Sequence, residues 1–491
     1  VKNACWICFL IFASVLSFVA CNGSGSGSEG GGGAGAGANP PLLTGTNPAA
    51  NNTSVLSGSL IATTFDKNMK AASADTFVVY GNQTGKKTGL YTGGGSQTLV
   101  FNPDNAFKVG EILEIILTSS LTATDGAALA SPVVYRFWSE ALAGTGVFTA
   151  GNTIAPQSGA TGLAVGDWDG DGDNDLAVAN FSNSTVVILR NDPLGDFSAS
   201  DTVNSQSGAS ALAALDWDGD GDLDLAVAND GGSTVSLLQN NGSGNFSSVS
   251  AVIGQANARA LAAGDWDGDG DLDLAVANFG ASEVAILENF GSGTFADVEA
   301  IGGLSGASAL ASGDWDGDGD LDLAVANRSG NSVVVLENDG DGGFSGGNTS
   351  ESQSGATSLA VGDWDGDGDL DLAVANATAG TGEVAILQND GTGVFTDIAA
   401  VTGMTGASAV VAGDWYGDGD LDLAVANATA GAGEVAILQN DGTGAFTNIA
   451  AVTGMTGASG LAAGDWDNNN TLDLAVANFG ADNVTTLANT P

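Results

Sequence analysis

From residue 144 onward, apolar runs of five to seven residues alternate with acidic, Gly-rich stretches, and the unit GDWDGDGDLDLAVAN returns with small variations. Its first Asp falls at 167, 216, 265, 314, 363, 414 and 465, so the spacing is 49 residues four times and then 51 twice. A fixed period of that size marks a ring or array of repeated units. Each unit reads as four strands, which in the third repeat are Ala258–Gly264, 274–278, 283–288 and 295–300. The third strands (AVAILEN, VVVLEN) are apolar on both faces, as expected of a sheet covered on both sides. Four short strands per repeat make one propeller blade, so residues 144–491 are expected to form a seven-bladed β-propeller in an all-β chain. A β-solenoid fits less well, because its coils are shorter and need no closure. The last repeat breaks off at residues 485–491, before its fourth strand, while Gly144-Thr-Gly-Val-Phe148-Thr matches Gly391-Thr-Gly-Val-Phe395-Thr. The strand at Phe148 is therefore expected to complete the last blade and leave no open edge.

Residues 50–140 carry a different pattern. SLIATTF, TFVVYG, QTLVFNP, ILEIILT and PVVYRFW recur at short intervals between turn signals, which reads as a β-sandwich. Ile61-Ala-Thr-Thr-Phe65-Asp-Lys-Asn-Met69, Thr76-Phe77-Val78-Val79, Phe101-Asn-Pro103 and Asp125-Gly126 together resemble the bacterial Ig-like (SbsA-type) domain. That resemblance implies a stalk or spacer, and no catalytic cluster is visible in it.

Ahead of this domain, residues 1–21 have Lys2 and then an apolar run ending at Cys21. They resemble a secretory signal peptide. Phe18-Val19-Ala20-Cys21 resembles a bacterial lipobox, with Phe at a position that is usually Leu, and implies cleavage before Cys21 and its acylation. Residues 22–49 are rich in Gly, Ser and Ala and read as a flexible tether. The expected location is outside the cell, lipid-anchored at the outer membrane or cell surface, with the membrane met only through the lipid.

Charge sharpens this picture. The net charge is -48 with no His, but residues 1–143 hold 7 basic and 8 acidic residues, against 3 Arg, no Lys and 50 acidic residues in 144–491. Such a domain repels phosphate backbones, so nucleic acid is excluded as an expected partner. The acids alternate with apolar strands, which argues against a disordered tail. The only cysteines are Cys5, Cys8 and Cys21, so stability in the body of the chain must come from packing and bound metal.

The acids concentrate in one loop per repeat. In the first it is Asp167-Trp168-Asp169-Gly170-Asp171-Gly172-Asp173-Asn174-Asp175. Carboxylates at positions one, three and five of a tight turn point inward, position seven can offer its carbonyl, and position nine adds a carboxylate. Hard oxygen donors suit calcium, whereas transition metals prefer His or Cys. The first half of the spacing matches an EF-hand, but the flanks are strand-forming and the twelfth-position Glu is absent. The loop closely resembles the FG-GAP/VCBS repeat of integrin α-like propellers and related bacterial proteins, seven times over. That resemblance implies that positions one, three, five and nine are calcium ligands. Beside Asp167, Asp169, Asp171 and Asp175 these are Asp216, Asp218, Asp220 and Asp224; Asp265, Asp267, Asp269 and Asp273; Asp314, Asp316, Asp318 and Asp322; and Asp363, Asp365, Asp367 and Asp371. Position seven is Asp173, Asp222, Asp271, Asp320, Asp369 and Asp420 in the first six repeats. Two repeats depart. The sixth keeps Asp414, Asp418 and Asp422 but has Tyr416 at position three; the seventh keeps Asp465, Asp467 and Asp473 but has Asn469 at position five and Asn470 in place of Gly. Up to seven calcium ions are expected, five of them held well. The Trp at position two of every loop is expected in the core between blades rather than as a sugar platform.

No His, no Cys nucleophile beyond Cys21 and no Lys in the repeats leave little for catalysis, and the chain is not expected to be an enzyme. The expectation is an adhesion or ligand-binding module for a protein or glycan, met by the turns opposite the acidic loops: 181–184, 230–233, 279–282, 328–331, 377–382, 428–433 and 479–482. An envelope scaffold is the second reading, and an enzyme acting on polysaccharide through a carboxylate pair the third.

Overall fold

A computed structural model describes residues 39–378, 382–428 and 433–491. The expected signal segment, Cys21, the tether up to residue 38 and the middles of the 377–382 and 428–433 turns lie outside the described residues. Among the described residues every regular element is a strand.

The repeats form seven four-stranded antiparallel sheets, six of them built from consecutive strands; in the third repeat these are Ala258–Gly264, Asp273–Asn278, Glu283–Asn289 and Phe295–Gly302. The DLAVAN strand is buried at every position in all seven. Small Ala alternating with Leu and Val lets both faces be covered closely. Each first strand packs on the first strand of the next repeat, and Ala160–Gly166 of the first repeat packs on Ala458–Gly464 of the last. The succession of neighbours thus returns to its start. The last sheet is completed by Phe148–Ile154, which pairs with Asn483–Asn489 in the register Asn489↔Phe148 and Val484↔Ile154.

Three side-chain types hold neighbouring sheets together. The position-two Trp residues are 0–4% exposed, and six of them meet, edge to face at 5.7–6.4 Å, the Phe that opens the next repeat's fourth strand. The interior role expected for these indoles holds. The Asn closing each third strand donates its Nδ2 to the backbone oxygen of the preceding repeat's Trp at 2.8–2.9 Å, with Asn191 and Trp466 joining first repeat to last. A Ser or Thr hydroxyl early in the first strand lies within hydrogen-bonding distance of Ala carbonyls in its own sheet and in the next. Only the third repeat departs, with Arg259 at that place.

The N-terminal domain is a sandwich of two four-stranded sheets. One contains Leu43–Asn47, Ile61–Phe65, Thr98–Pro103 and Gly89–Thr92, and the other Gly85–Lys86, Phe77–Gly81, Ile112–Leu117 and Val133–Trp138. Leu43–Asn47 corrects the expected tether. Its backbone pairs with Ile61–Phe65, so the free edge of that strand captures it although its side chains stay mostly exposed. The second sheet is covered on both faces. Phe77, Val79, Ile115, Leu117, Tyr135 and Phe137 fill the sandwich, while Val78, Tyr80, Ile116 and Val134 pack with residues of the second and third repeats. The domain is therefore no free stalk but sits on the acidic-loop side of the repeats.

Candidate metal centres

Each acidic loop joins the first strand of a sheet to the buried second strand, so position nine begins inside the fold and positions one to seven bend outward. The bend needs left-handed backbone, supplied at position six by Gly172, Gly221, Gly270, Gly319, Gly368 and Gly419 with φ of 92–98°, a conformation that only glycine adopts readily. In the second repeat, Asp216 accepts from the Gly219 and Gly221 amides at 2.8 and 3.1 Å, Asp218 from the Asp220 amide at 3.2 Å and Asp220 from the Asp222 amide at 3.0 Å. Asp216 spends both oxygens on the loop's own backbone, whereas Asp218 and Asp220 spend one each there and leave the other clear of it.

In each of repeats one to five, three carboxylates bring one oxygen each within 4.8 Å of one another. The sets are Asp167, Asp169 and Asp175; Asp216, Asp218 and Asp224; Asp265, Asp267 and Asp269; Asp314, Asp316 and Asp322; and Asp363, Asp365 and Asp371. The buried oxygens Asp167 Oδ1, Asp169 Oδ1 and Asp224 Oδ2 accept no hydrogen bond from any described residue. All-oxygen donors, close like charge and unpartnered buried acceptors fit a hard divalent cation and no softer metal. Position seven is different: the side chains of Asp222, Asp320, Asp369 and Asp420 lie against Gly242, Gly340, Gly391 and Gly442 of the turn before the fourth strand, and Asp173 accepts from Asn468 of the last repeat at 2.7 Å. Only the backbone of position seven is left to face the loop.

Burial pushes these carboxyls far up. Desolvation first, opposed by backbone amides and aided by neighbouring carboxylates, raises Asp175, Asp371 and Asp473 to about 7 and Asp224, Asp273, Asp322 and Asp422 to about 8. At position one, Asp216 and Asp414 rise to about 6 and Asp314 to about 7. A bound cation would remove this pressure by supplying the charge that the loops lack.

Sequence reasoning missed the residue before the Asn that ends each third strand. Arg190 forms an ion pair with Asp169 at 3.3 Å, Gln239 donates to Asp218 at 2.5 Å and Gln388 to Asp365, and Glu288 lines one cleft with Asp267 and Asp273. The equivalent Glu337 faces Asp318 closely enough to help hold its carboxyl up. Its signal was present as the varying letter of LRN, LQN and LEN. The departures also acquire causes. A Cβ at Gly146 would fall 2.0 Å from the Tyr416 ring, so Tyr416 fills the place where the chain enters the repeats. In the seventh repeat, Asn469 donates to the Asn489 carbonyl at 3.2 Å, fastening the loop to the closing strand.

Comparison with known protein families matches the FG-GAP-like repeat at residues 167–227, 216–276, 265–325, 314–374, 368–425 and 414–476. The chain belongs to the FG-GAP-like repeat family. Residues 37–139 match the bacterial Ig-like domain, which places its start ahead of residue 50 and agrees with the strand at Leu43–Asn47. No curated protein matches the chain. Among solved structures, BBS1N in complex with ARL6DN, soaked with lead, is similar at a TM-score of 0.51 and 15% identity over 70% of this chain and 97% of that one. The mercury-soaked crystal gives 0.50 at the same identity and coverage. A putative 6-phosphogluconolactonase from Bacteroides uniformis gives 0.48 at 14% identity, over 77% of this chain and 96% of that one. At such identities the likeness of this FG-GAP-like chain to the BBS1N structures extends to fold alone.

Proposed function

We propose that this FG-GAP-like protein is a calcium-loaded, surface-exposed binding module, a seven-bladed β-propeller whose free face engages a protein or glycan, and not an enzyme. The observation that carries the calcium reading is the recurrence, in five repeats, of three carboxylate oxygens within 4.8 Å of one another, with buried acceptors among them unpartnered in the first two. Asp at positions one, three, five and nine would hold the ion, aided by the position-seven carbonyl. The ion would supply fixed positive charge; the chain's part is to hold the carboxylates in place and exclude water from position nine. Propeller geometry is supported by the circular succession of seven sheets and by the strand exchanged at Asn489↔Phe148. The Ig-like domain covers the acidic-loop side, which leaves the opposite turns for a ligand. There Phe181 and Phe479 are 36% and 44% exposed, and the Arg259 guanidinium lies 3.5 Å over the Phe279 ring while pairing with Asp230 at 3.3 Å. Lipid anchoring through Cys21 and a place at the cell surface complete the proposal.

Calcium titration by calorimetry, with melting followed before and after chelation, tests the metal reading: a large gain in Tm is expected, and no heat with no change in Tm would overturn it. Glycan and extracellular-protein arrays, compared between the native chain and Phe181→Ala/Phe479→Ala, test the ligand face. Binding that survives both substitutions unchanged would place the ligand elsewhere.

A further inference from the structure

The Ig-like domain touches the same backbone position in loop after loop. The position-six carbonyl of the first repeat, Gly172, accepts from Lys108 Nζ; that of the third, Gly270, from the Tyr80 hydroxyl at 3.3 Å; and that of the fourth, Gly319, from the Val134 amide at 2.7 Å. In the fifth repeat Gly368 accepts from Asn51 Nδ2 at 2.9 Å, in the sixth Gly419 from Thr53 Oγ1 at 2.5 Å, and in the seventh Asn470 from the Leu142 amide at 2.8 Å. The second repeat meets the Gly85 turn instead, where a Cβ would lie 3.3 Å from Leu223. Six donors, five from four separate segments of the Ig-like domain and the sixth from the connection that follows it, thus find six equivalent acceptors.

That equivalence matters because of where position six lies. It is the peptide between two proposed ligand positions, five and seven, and its backbone is left-handed throughout, with φ of 92–98° at the six glycines and 66° at Asn470. With an ion in place, positions five and seven are pinned and the carbonyl direction with them. Without it, carboxylate oxygens lying within 4.8 Å repel in a partly desolvated loop, the turn opens and the acceptor moves. A single loop would shift one hydrogen bond; the Ig-like domain senses five at once. It also stands over a half-open cavity of about 470 Å³ lined by Ile112 and Trp138 on its own side and by Leu163, Leu212, Leu359 and Val410 on the other.

We infer that the Ig-like domain is a calcium-dependent clasp: docked across the loops, it couples the ions to one another and closes that end of the ring. The inference rests on the calcium reading above. Because the domain docks best when all its acceptors are set, each ion favours the next, and calcium binding is cooperative in the intact chain.

The test uses the full chain and calcium itself as probe. Calorimetric titration is compared between the native protein and the variant Asn51→Gly/Thr53→Val/Tyr80→Phe/Lys108→Met, which removes four side-chain donors and none of the proposed ligands. The expected result is a Hill coefficient well above one in the native chain, falling towards one in the variant, with the midpoint moved to at least threefold higher calcium. Hydrogen exchange supplies a second readout: amides of Val133–Trp138 and Ile112–Leu117 should lose protection on chelation in the native protein while the sandwich interior stays closed. Should the fourfold variant fail to fold, Asn51→Gly/Thr53→Val, which touches only the fifth and sixth loops, is judged in the same way. Identical titration curves for native and variant chains, with exchange unmoved by chelation, overturn the clasp and leave the metal sites standing. No calcium binding by either protein overturns both.

Discussion

At the residue scale the decisive groups are the position-nine Asp side chains, buried in every loop. In the metal-free protein they are raised to about 7 or about 8, against about 3.9 in an unfolded chain. Between pH 4 and 8 the native state therefore holds protons that the unfolded state has released, and stability falls as pH rises through that window. The metal-free protein should melt higher at pH 5 than at pH 8 and lose Tm steadily between them. Saturating calcium should reverse the trend, because its ligands must be deprotonated. Scanning calorimetry at four pH values with and without chelator checks this, and a chelated protein whose Tm is flat from pH 5 to 8 would show that the loops hold no such protons. The residue beside position three ranks the sites. Arg190 already neutralises Asp169, whereas Glu288 and Glu337 add charge to the third and fourth loops. Arg190→Gln is expected to tighten the weakest of the first five sites by about tenfold, on the scale of one charge interacting with a divalent ion across a few ångströms of wet protein surface. Glu288→Gln should weaken its site by a similar factor. Calorimetric titration resolves both.

At the scale of elements, the sheets were legible because periodicity, acidic turns and apolar strands agree in every repeat, and the completing strand at Phe148 could be found from its matching GTGVF. What pairs one sheet with the next was less visible. The Asn at the end of each third strand looks like an ordinary turn residue in sequence, yet its amide reaches the Trp carbonyl of a repeat about 72 to 76 residues earlier. Only the folded arrangement brings those groups together. Asn338→Ala should cost about 1–3 kcal/mol, the usual range when a buried hydrogen-bond partner is lost, and Trp315→Ala about 3–5 kcal/mol through its cavity; chemical denaturation measures both. The docking of the N-terminal domain did leave a trace that went unread. FVVY, ILEIIL and VVYRFW are apolar at consecutive positions, whereas a sandwich strand with one wet face alternates. The second apolar face belongs to the contact with the repeats. Tyr416 belongs to the same lesson: it spoils a ligand set in sequence, but in the fold it packs against Gly146 where the chain enters. Tyr416→Asp is therefore expected to lower the Tm although it restores the repeat's consensus, and a gain in Tm would show that the ligand outweighs the packing.

At the scale of the whole molecule, the opposing forces are unequal in range. Residues 144–491 carry 50 acidic residues against 3 Arg, and seven divalent ions would cancel less than a third of the excess. The Ig-like domain adds local relief through Lys108 and Lys86, which favour the charged forms of Asp167 and Asp271, but it is nearly neutral as a body. Long-range repulsion thus persists in the loaded protein and is larger still without metal. Salt acts on the two states differently. Raising sodium chloride from 20 to 200 mM shortens the screening length from about 20 Å to about 7 Å, which relieves repulsion between loops of different repeats but not between carboxylates inside one loop. The chelated protein should therefore gain Tm with salt. Calcium affinity should fall over the same range, since screening also weakens the attraction that gathers the ion. The calcium-dependent increment in Tm then shrinks from both sides as salt rises. Melting curves on a grid of salt and calcium concentrations test this, and an increment that stays constant as salt rises would mean that loops act as isolated sites, insensitive to the charge of the molecule that carries them.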